Sequence, residues 1–322
     1  MTNFQIYKKI LSFSLFKLLV DFVSLAILIG ACVAGFFIAN SSTSRALIGL
    51  VIGFVIGIIL AILISVFISN RIKAAQIAMM VKGITEGQLP ERSFSEGFKE
   101  IKGRFGKITA FFFVTNAIKG IFRQIGQAIN KIGTAIGGNV GNGITSAIDS
   151  AVQTLLSYLC DCCLAWTFYR KEQNTAIAAC EGAVIFFKHG KTLVRNVGRI
   201  FGLGAASFLL IGGAFFGISF AIFYQFPGIF QGLANEILEV AARNGGEVPN
   251  WITNTTVLTA FITGIGAIVL WSFVHDVFIR PFILVGVMKN FMEAGMKDTP
   301  TEKDFAELDA RSPRFAKLHR SI

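Results

Sequence analysis

The chain has 322 residues, of which 53% are apolar and only 15% are charged, and its mean hydropathy is +0.65. Soluble domains carry about 25% charged residues, so this composition excludes a soluble protein and indicates an integral membrane protein. The net charge of +11 suits the anionic lipid headgroups of a cytoplasmic membrane surface. We therefore expect membrane lipids, and no nucleic acid, as partners of the basic residues.

Long apolar runs predict an all-α, polytopic membrane protein with four transmembrane helices. A helix needs roughly 20 apolar residues to cross a bilayer, and the runs near that length are residues 22–39, 46–68, 200–224 and 255–274. In the second run Gly49, Gly53 and Gly57 recur every fourth residue, a pattern that lets helix backbones approach closely. We expect this ridge to pack against another helix of the same chain.

The distribution of Lys and Arg predicts the orientation of the chain. Residues 70–107 carry eight basic residues against four acidic ones, whereas residues 226–254 carry one against three. Basic loops stay in the cytoplasm, so we expect a multi-pass protein with both termini cytoplasmic. The predicted organisation is a two-span helical hairpin over 1–69, a basic cytoplasmic linker over 70–107, a helical membrane core over 108–298 with amphipathic and re-entrant segments, and a cytoplasmic tail over 299–322.

Isoleucines recur every three or four residues over 118–136, which is the period of an amphipathic helix. The opposite face carries a basic stripe, which is formed by Lys119, Arg123, Gln127 and Lys131. Each basic residue costs roughly 2.5–3.5 kcal/mol near the bilayer centre, so this face does not contact lipid chains. The segment is expected to lie in the membrane interface, to form a hairpin around a water-filled cavity, or to extend a span into the cytoplasm.

An acidic residue, Glu181, interrupts the apolar segment 175–187. The segment is too short to cross a bilayer, and we expect a broken or re-entrant helix there. Ionisable residues inside membranes commonly mark functional sites, which makes Glu181 a candidate substrate-binding residue. The structural alternative is a salt bridge to Lys188 or Arg195.

Aromatic residues accompany the acidic residues at two places. Trp166 and Tyr169 precede Glu181, and the last apolar run ends with Trp271, His275 and Asp276. An aromatic face beside a carboxylate is the arrangement that binds a quaternary ammonium group. These six residues are the candidate binding site for a small cationic solute. The structural alternative for Asp276 is an ion pair with Arg280, four residues later, beside a helix kink at Pro281.

A resemblance to the choline transporter-like family is carried by residues 159–200, which read LCDCCLAWTFYRKEQNTAIAACEGAVIFFKHGKTLVRNVGRI. That family has a cysteine-rich stretch, an aromatic–basic stretch, a short apolar helix and a basic turn ending in Asn-x-x-Arg, which Asn196 and Arg199 match. The run SFVHDVFIRPFILVGVMKNFME over 272–293 resembles the end of the family's last span. The resemblance covers about residues 105–298. It implies a reduced relative that transports an organic cation such as choline.

Several activities are not indicated by the sequence. Ser, His and Asp residues form no catalytic pattern, no phosphate-binding loop is present, and Cys160-Asp161-Cys162-Cys163 lacks the C-x₂-C spacing of zinc sites. We therefore expect no enzyme, no metal site and no cofactor. The predicted function is membrane transport of a small solute. The alternatives are a homo-oligomeric pore or channel lined by the basic stripe, and a lipid-binding membrane scaffold.

Overall fold

The computed structural model describes residues 1–39, 43–104, 120, 142–194, 197–243 and 249–320. Throughout these ranges the chain forms helices and turns and contains no strand, which confirms the all-α prediction. The described helices fall into two compact units. Unit 1 comprises Met1–Ile200 and Pro281–Ile322, and unit 2 comprises Phe201–Arg280.

The helices of the N-terminal part of unit 1 are α1 (Asn3–Ile38), α2 (Thr43–Ile64), the π-turn π1 (Ser65–Ser69), α3 (Asn70–Thr85), α4 (Ser93–Arg104), α5 (Asn142–Tyr169) and α6 (Thr175–Val194). The chain continues through α7 (Val197–Ser207), π2 (Phe208–Gly212), α8 (Gly213–Tyr224), α9 (Pro227–Arg243), α10 (Asn250–Thr253), α11 (Thr255–Val274) and π3 (His275–Ile279). It returns to unit 1 with α12 (Arg280–Lys297), α13 (Glu302–Arg311) and α14 (Pro313–His319).

Four helical segments of the described chain are long and apolar enough to cross a membrane: Asn3–Ile38, Ile48–Thr85, Gly202–Tyr224 and Thr255–Lys297. Each overlaps one of the predicted runs, so length and composition confirm a multi-pass membrane protein. The second segment has 38 residues and extends about 57 Å at the α-helical rise, nearly twice the thickness of the hydrocarbon core. Its charged end, α3, therefore reaches beyond the bilayer. The side of the membrane on which the termini lie stays a prediction.

The glycine ridge of α2 packs against α1 of the same chain, which confirms its predicted role. A Cβ atom on Gly49 would overlap the carbonyl oxygen of Gly35, and a Cβ atom on Gly53 would overlap that of Ala31. A Cβ atom on Gly57 would also crowd α1. Because lipid chains are as apolar as the side chains, this close backbone contact gains dispersion energy that burial alone does not supply in a membrane.

Replacing Gly53 by Leu is expected to destabilise the α1–α2 hairpin, because the backbone of α1 occupies the space that a side chain needs. Overpacking typically costs about 1–3 kcal/mol. Gly30→Leu is the matched control, since a Cβ atom on Gly30 meets no atom of the described chain within 4 Å. Thermal unfolding in detergent should show a lower midpoint for Gly53→Leu only. Equal midpoints for the two variants would contradict the packing.

Residues 70–104, most of the segment expected to be a linker, form two packed helices. The residues of α3 from 74 to 81 are all buried. The Gln76 amide donates to Oγ of Ser14 at 2.8 Å, and the Phe94 ring of α4 lies 5.0 Å from that of Phe13. α1 and α4 therefore cover α3, a tertiary effect that the charge count of the segment does not reveal.

The expected tail also folds into packed helices. The backbone N–H and the hydroxyl of Thr301 both donate to Oδ2 of Asp304 at 2.8 Å. These bonds cap α13 and hold the pKa of Asp304 at about 2. Leu308 and Phe315 are fully buried in a cluster with Cys180 of α6. The polar composition of this region therefore belongs to its exposed face, while its apolar face lies on α6.

Candidate functional site

The candidate binding residues fall into two groups, one in each unit. Trp166, Tyr169 and Glu181 lie in unit 1, whereas Trp271, His275 and Asp276 lie in unit 2. The residues of the basic stripe lie outside the described residues: Lys119, Arg123, Gln127 and Lys131. The two groups differ in burial, in hydrogen bonding and in backbone geometry, and these differences separate a structural role from a binding role.

The Glu181 side chain accepts hydrogen bonds on both of its oxygens. Nε1 of Trp166 donates to Oε2 at 2.8 Å, and Nε2 of Gln173 donates to Oε1 at 3.0 Å. The guanidinium of Arg170 spans the carboxylate, with Nε 3.1 Å from Oε2 and an Nη atom 3.3 Å from Oε1. Glu181 is only 6% exposed. We refer to Glu181, Trp166, Arg170 and Gln173 as the Glu181 cluster.

The Glu181 cluster has the geometry of a structural ion pair. A carboxylate offers about four lone-pair sites, and the donors of the cluster occupy two on each oxygen. The Trp166 ring is fully buried, with the Tyr169 ring centroid at 4.9 Å and that of Phe291 at 6.4 Å. Neither the acid nor the indole face is open to a solute, so the cluster joins α5, α6 and α12 and leaves no space for a cation.

The helix that carries Glu181 also differs from expectation. α6 runs for 20 residues, whereas the sequence predicted a broken or re-entrant helix over 175–187. A Cβ atom on its Gly182 would lie 3.0 Å from Cα of Cys163 on α5, so α6 is enclosed by protein. Lys188, one of the two expected partners of Glu181, instead contacts Asp298 at 2.8 Å and Asp304 at 3.0 Å. The other, Arg195, lies outside the described residues.

The sequence did not lead us to predict the partners of Glu181, although their position in the short turn before its helix indicated them. Arg170 and Gln173 lie in the turn between α5 and α6, and antiparallel helices joined by a short turn bring such residues back onto the second helix. A second buried acid, Asp161, pairs with Lys73 at 2.6 Å and ties α5 to α3. Among the described residues, both buried acids are thus paired with a basic residue, as low-dielectric surroundings require.

Glu181→Gln is expected to lower stability by about 2–3 kcal/mol, because it leaves the guanidinium of Arg170 without its counter-ion. The cost is below that of a fully buried pair, since the Arg170 side chain is 33% exposed and solvent screens it. Glu172→Gln in the same turn is the matched control, because Glu172 is exposed. Thermal unfolding in detergent measures the stability of both variants. An unchanged midpoint for Glu181→Gln would contradict the structural role.

The three buried cysteines of unit 1, which are Cys162, Cys163 and Cys180, behave as packing residues. Burial raises the pKa of the Cys162 and Cys163 thiols, and it raises that of Cys180 to about 12. The thiolate is the form that attacks electrophiles and binds metals, so these thiols stay protonated near neutral pH. In the ranges that the structure describes, no three His, Cys, Asp or Glu side chains are placed to hold a metal ion.

The second candidate group forms an aromatic cluster between two helices of unit 2. Nε1 of Trp271 donates to Oγ of Ser207 at 3.2 Å. The Phe208 ring meets the Trp271 ring edge-on at 5.0 Å, and the His275 ring lies 5.1 Å from it. Nδ1 of His275 is 3.4 Å from Oδ1 of Asp276. We call these five residues the Trp271 cluster. The structure thus brings together all three candidates of the last span.

Both helices of the Trp271 cluster change to π geometry at the cluster. Phe208 begins π2 and His275 begins π3. In π3 the N–H of Arg280 bonds to the carbonyl of His275, five residues earlier. Such π-turns inside α-helices frequently occur at functional sites. The apolar runs of the sequence do not reveal them, because they depend on how the two helices pack.

The ionisable members of the Trp271 cluster are accessible, unlike Glu181. The side chain of Asp276 is 48% exposed and that of His275 is 20% exposed, and the Trp271 ring is partly exposed. Arg280 follows Asp276 by four residues, a spacing at which opposite charges on a helix interact. The Trp271 ring thus contacts the His275 ring, which contacts an accessible acid, and these residue types are those expected in a cation-binding site.

Comparison with protein-family models, with curated proteins and with solved structures found no match. The resemblance to the choline transporter-like family therefore stays a prediction.

Proposed function

We propose that the protein transports a small organic cation across a membrane and that the Trp271 cluster binds this cation. The observation that carries the proposal is that His275 joins the partly exposed Trp271 ring to the accessible Asp276, where two apolar spans contain the π-turns Phe208–Gly212 and His275–Ile279. In the Glu181 cluster, which also combines a tryptophan with an acid, the carboxylate is buried and accepts hydrogen bonds on both oxygens.

The chemistry of the Trp271 cluster suits an ammonium group. Tryptophan has the strongest cation–π interaction of the aromatic side chains. The bond from Nε1 of Trp271 to Ser207 fixes the plane of the indole, so little side-chain entropy is lost on binding. The carboxylate of Asp276 supplies the negative charge that a cation needs when it leaves water.

The π-turns supply a second element that transport requires. Interrupted helices in transporters place binding sites where backbone groups leave the regular α-helical pattern. π2 and π3 interrupt apolar spans, and a change between π and α geometry at either turn would shift Trp271 relative to Ser207. The two other predicted functions, an oligomeric pore and a lipid scaffold, both depend on the basic stripe, which lies outside the described residues.

Uptake of radiolabelled tetramethylammonium into proteoliposomes tests the proposal. Wild-type protein should accumulate the probe above protein-free liposomes. Trp271→Ala and Asp276→Asn should each lower the initial rate about tenfold or more, since a desolvated cation–π contact contributes about 2 kcal/mol and each 1.4 kcal/mol is tenfold.

Two matched controls lie in the same unit. Phe226→Ala removes an exposed aromatic ring outside the cluster. Glu239→Gln removes an exposed acid that, like Asp276, has an arginine four residues later. Both controls should retain the wild-type rate. Uptake by wild-type protein that does not exceed the protein-free level would overturn the function, and undiminished uptake by both cluster variants would overturn the site.

A further inference from the structure

A cavity of about 320 Å³ opens in unit 1 among α3, α4 and the end of α5. It is distinct from both candidate groups, although Tyr169 stands at its edge. Its volume lies within the usual range of small-molecule sites, roughly 300–1,000 Å³. The lining combines an apolar wall with two lysines and two glutamates. The opposite charges beside an apolar surface define the class of ligand.

The wall of the cavity is apolar and rigid. Val81 of α3 is 4% exposed and Phe168 of α5 is 2% exposed, so both side chains are fixed by packing behind the cavity. Tyr169 is 38% exposed and adds an aromatic edge. A ligand with a small apolar group can therefore bury that group here without displacing any packed side chain.

The charged lining residues differ in depth. The inner pair is Lys82 on α3 and Glu100 on α4, whose side chains are 28% and 25% exposed. The outer pair is Glu86 and Lys171, which are 53% and 54% exposed. Each inner charge contacts one outer charge: Lys82 is 3.9 Å from Glu86, and Glu100 is 2.9 Å from Lys171.

These contacts make the outer charges replaceable. An ion pair with a half-exposed member contributes little, because water screens it and two long side chains lose freedom to form it. A ligand that carries an ammonium and a carboxylate on a short frame can take the place of both outer partners at once. A simple cation or a simple anion can replace only one of them.

We propose that this cavity binds an apolar amino acid or a zwitterion of the same class. The ligand's carboxylate pairs with the ammonium of Lys82, its ammonium pairs with the carboxylate of Glu100, and its apolar side chain lies against the exposed Tyr169 ring. On binding, Glu86 gives up its contact with Lys82, and Lys171 gives up its contact with Glu100. The site lies in unit 1, so its test does not depend on the cation site proposed for unit 2.

Calorimetric titration of the full chain in detergent tests the proposal with L-leucine as the probe. Leucine should bind saturably, with a Kd below about 1 mM. The comparators 3-methylbutylamine and 4-methylpentanoate each lack one of the two charges and should bind about 10- to 100-fold more weakly, because each loses a charge-assisted hydrogen bond. No binding of leucine, or equal binding of leucine and either comparator, would overturn the assignment.

Matched variants separate the inner charges from the outer ones. Lys82→Gln and Glu100→Gln should each weaken leucine binding about tenfold or more, whereas Glu86→Gln and Lys171→Gln should leave it unchanged or tighten it, because they remove the competing partner. Thr85→Trp keeps all four charges and should block binding by filling the cavity. If the inner and outer variants lose leucine affinity equally, and their thermal unfolding is unchanged, the proposed replacement of the outer charges by the ligand is contradicted.

Discussion

A buried carboxylate must be paired, and in unit 1 this constraint organises the helices. Glu181 on α6 accepts hydrogen bonds from Trp166 of α5 and from Arg170 and Gln173 of the turn that follows α5. The indole that donates to it packs in turn on Phe291 of α12. Removing the acid would leave several donors without acceptors in an interior where desolvation is costly. The packing of α5, α6 and α12 thus depends on this one side chain.

The same residue types serve a different purpose in unit 2. There the acid lies in π3 and the indole lies on α11 just before it, the Trp271 N–H donates to the Ser207 hydroxyl, and the Asp276 side chain is nearly half exposed. Tryptophan beside an acid is therefore not sufficient to define a cation site. The exposure of the carboxylate in the packed structure distinguishes a structural ion pair from a binding site.

The membrane spans could be read from the sequence because a long uncharged run, such as 46–68, has few other stable outcomes. Helix ends were harder to predict. α1 begins at Asn3, although Lys8, Lys9 and Lys17 interrupt its hydropathy, because Ile6, Ile10 and Phe13 recur at helical spacing and are fully buried. The folded tail was missed for a related reason: its apolar residues are few, but they meet a matching face of α6.

The candidate site was only partly predictable. The sequence identified both aromatic–acid groups, yet it could not distinguish them, because exposure and hydrogen bonding arise from tertiary packing. Arg170 and Gln173 lie in the turn between α5 and α6, and Ser207 is the last residue of α7. Only the packed structure brings them to Glu181 and Trp271.

The different roles of the two groups are tested most directly by the KM for tetramethylammonium uptake, measured beside the folded fraction of each variant. Glu181→Gln should lower the folded fraction and leave KM unchanged, whereas Asp276→Asn should raise KM and leave the folded fraction unchanged. A raised KM in Glu181→Gln protein that is fully folded would contradict the assignment of the binding site to unit 2.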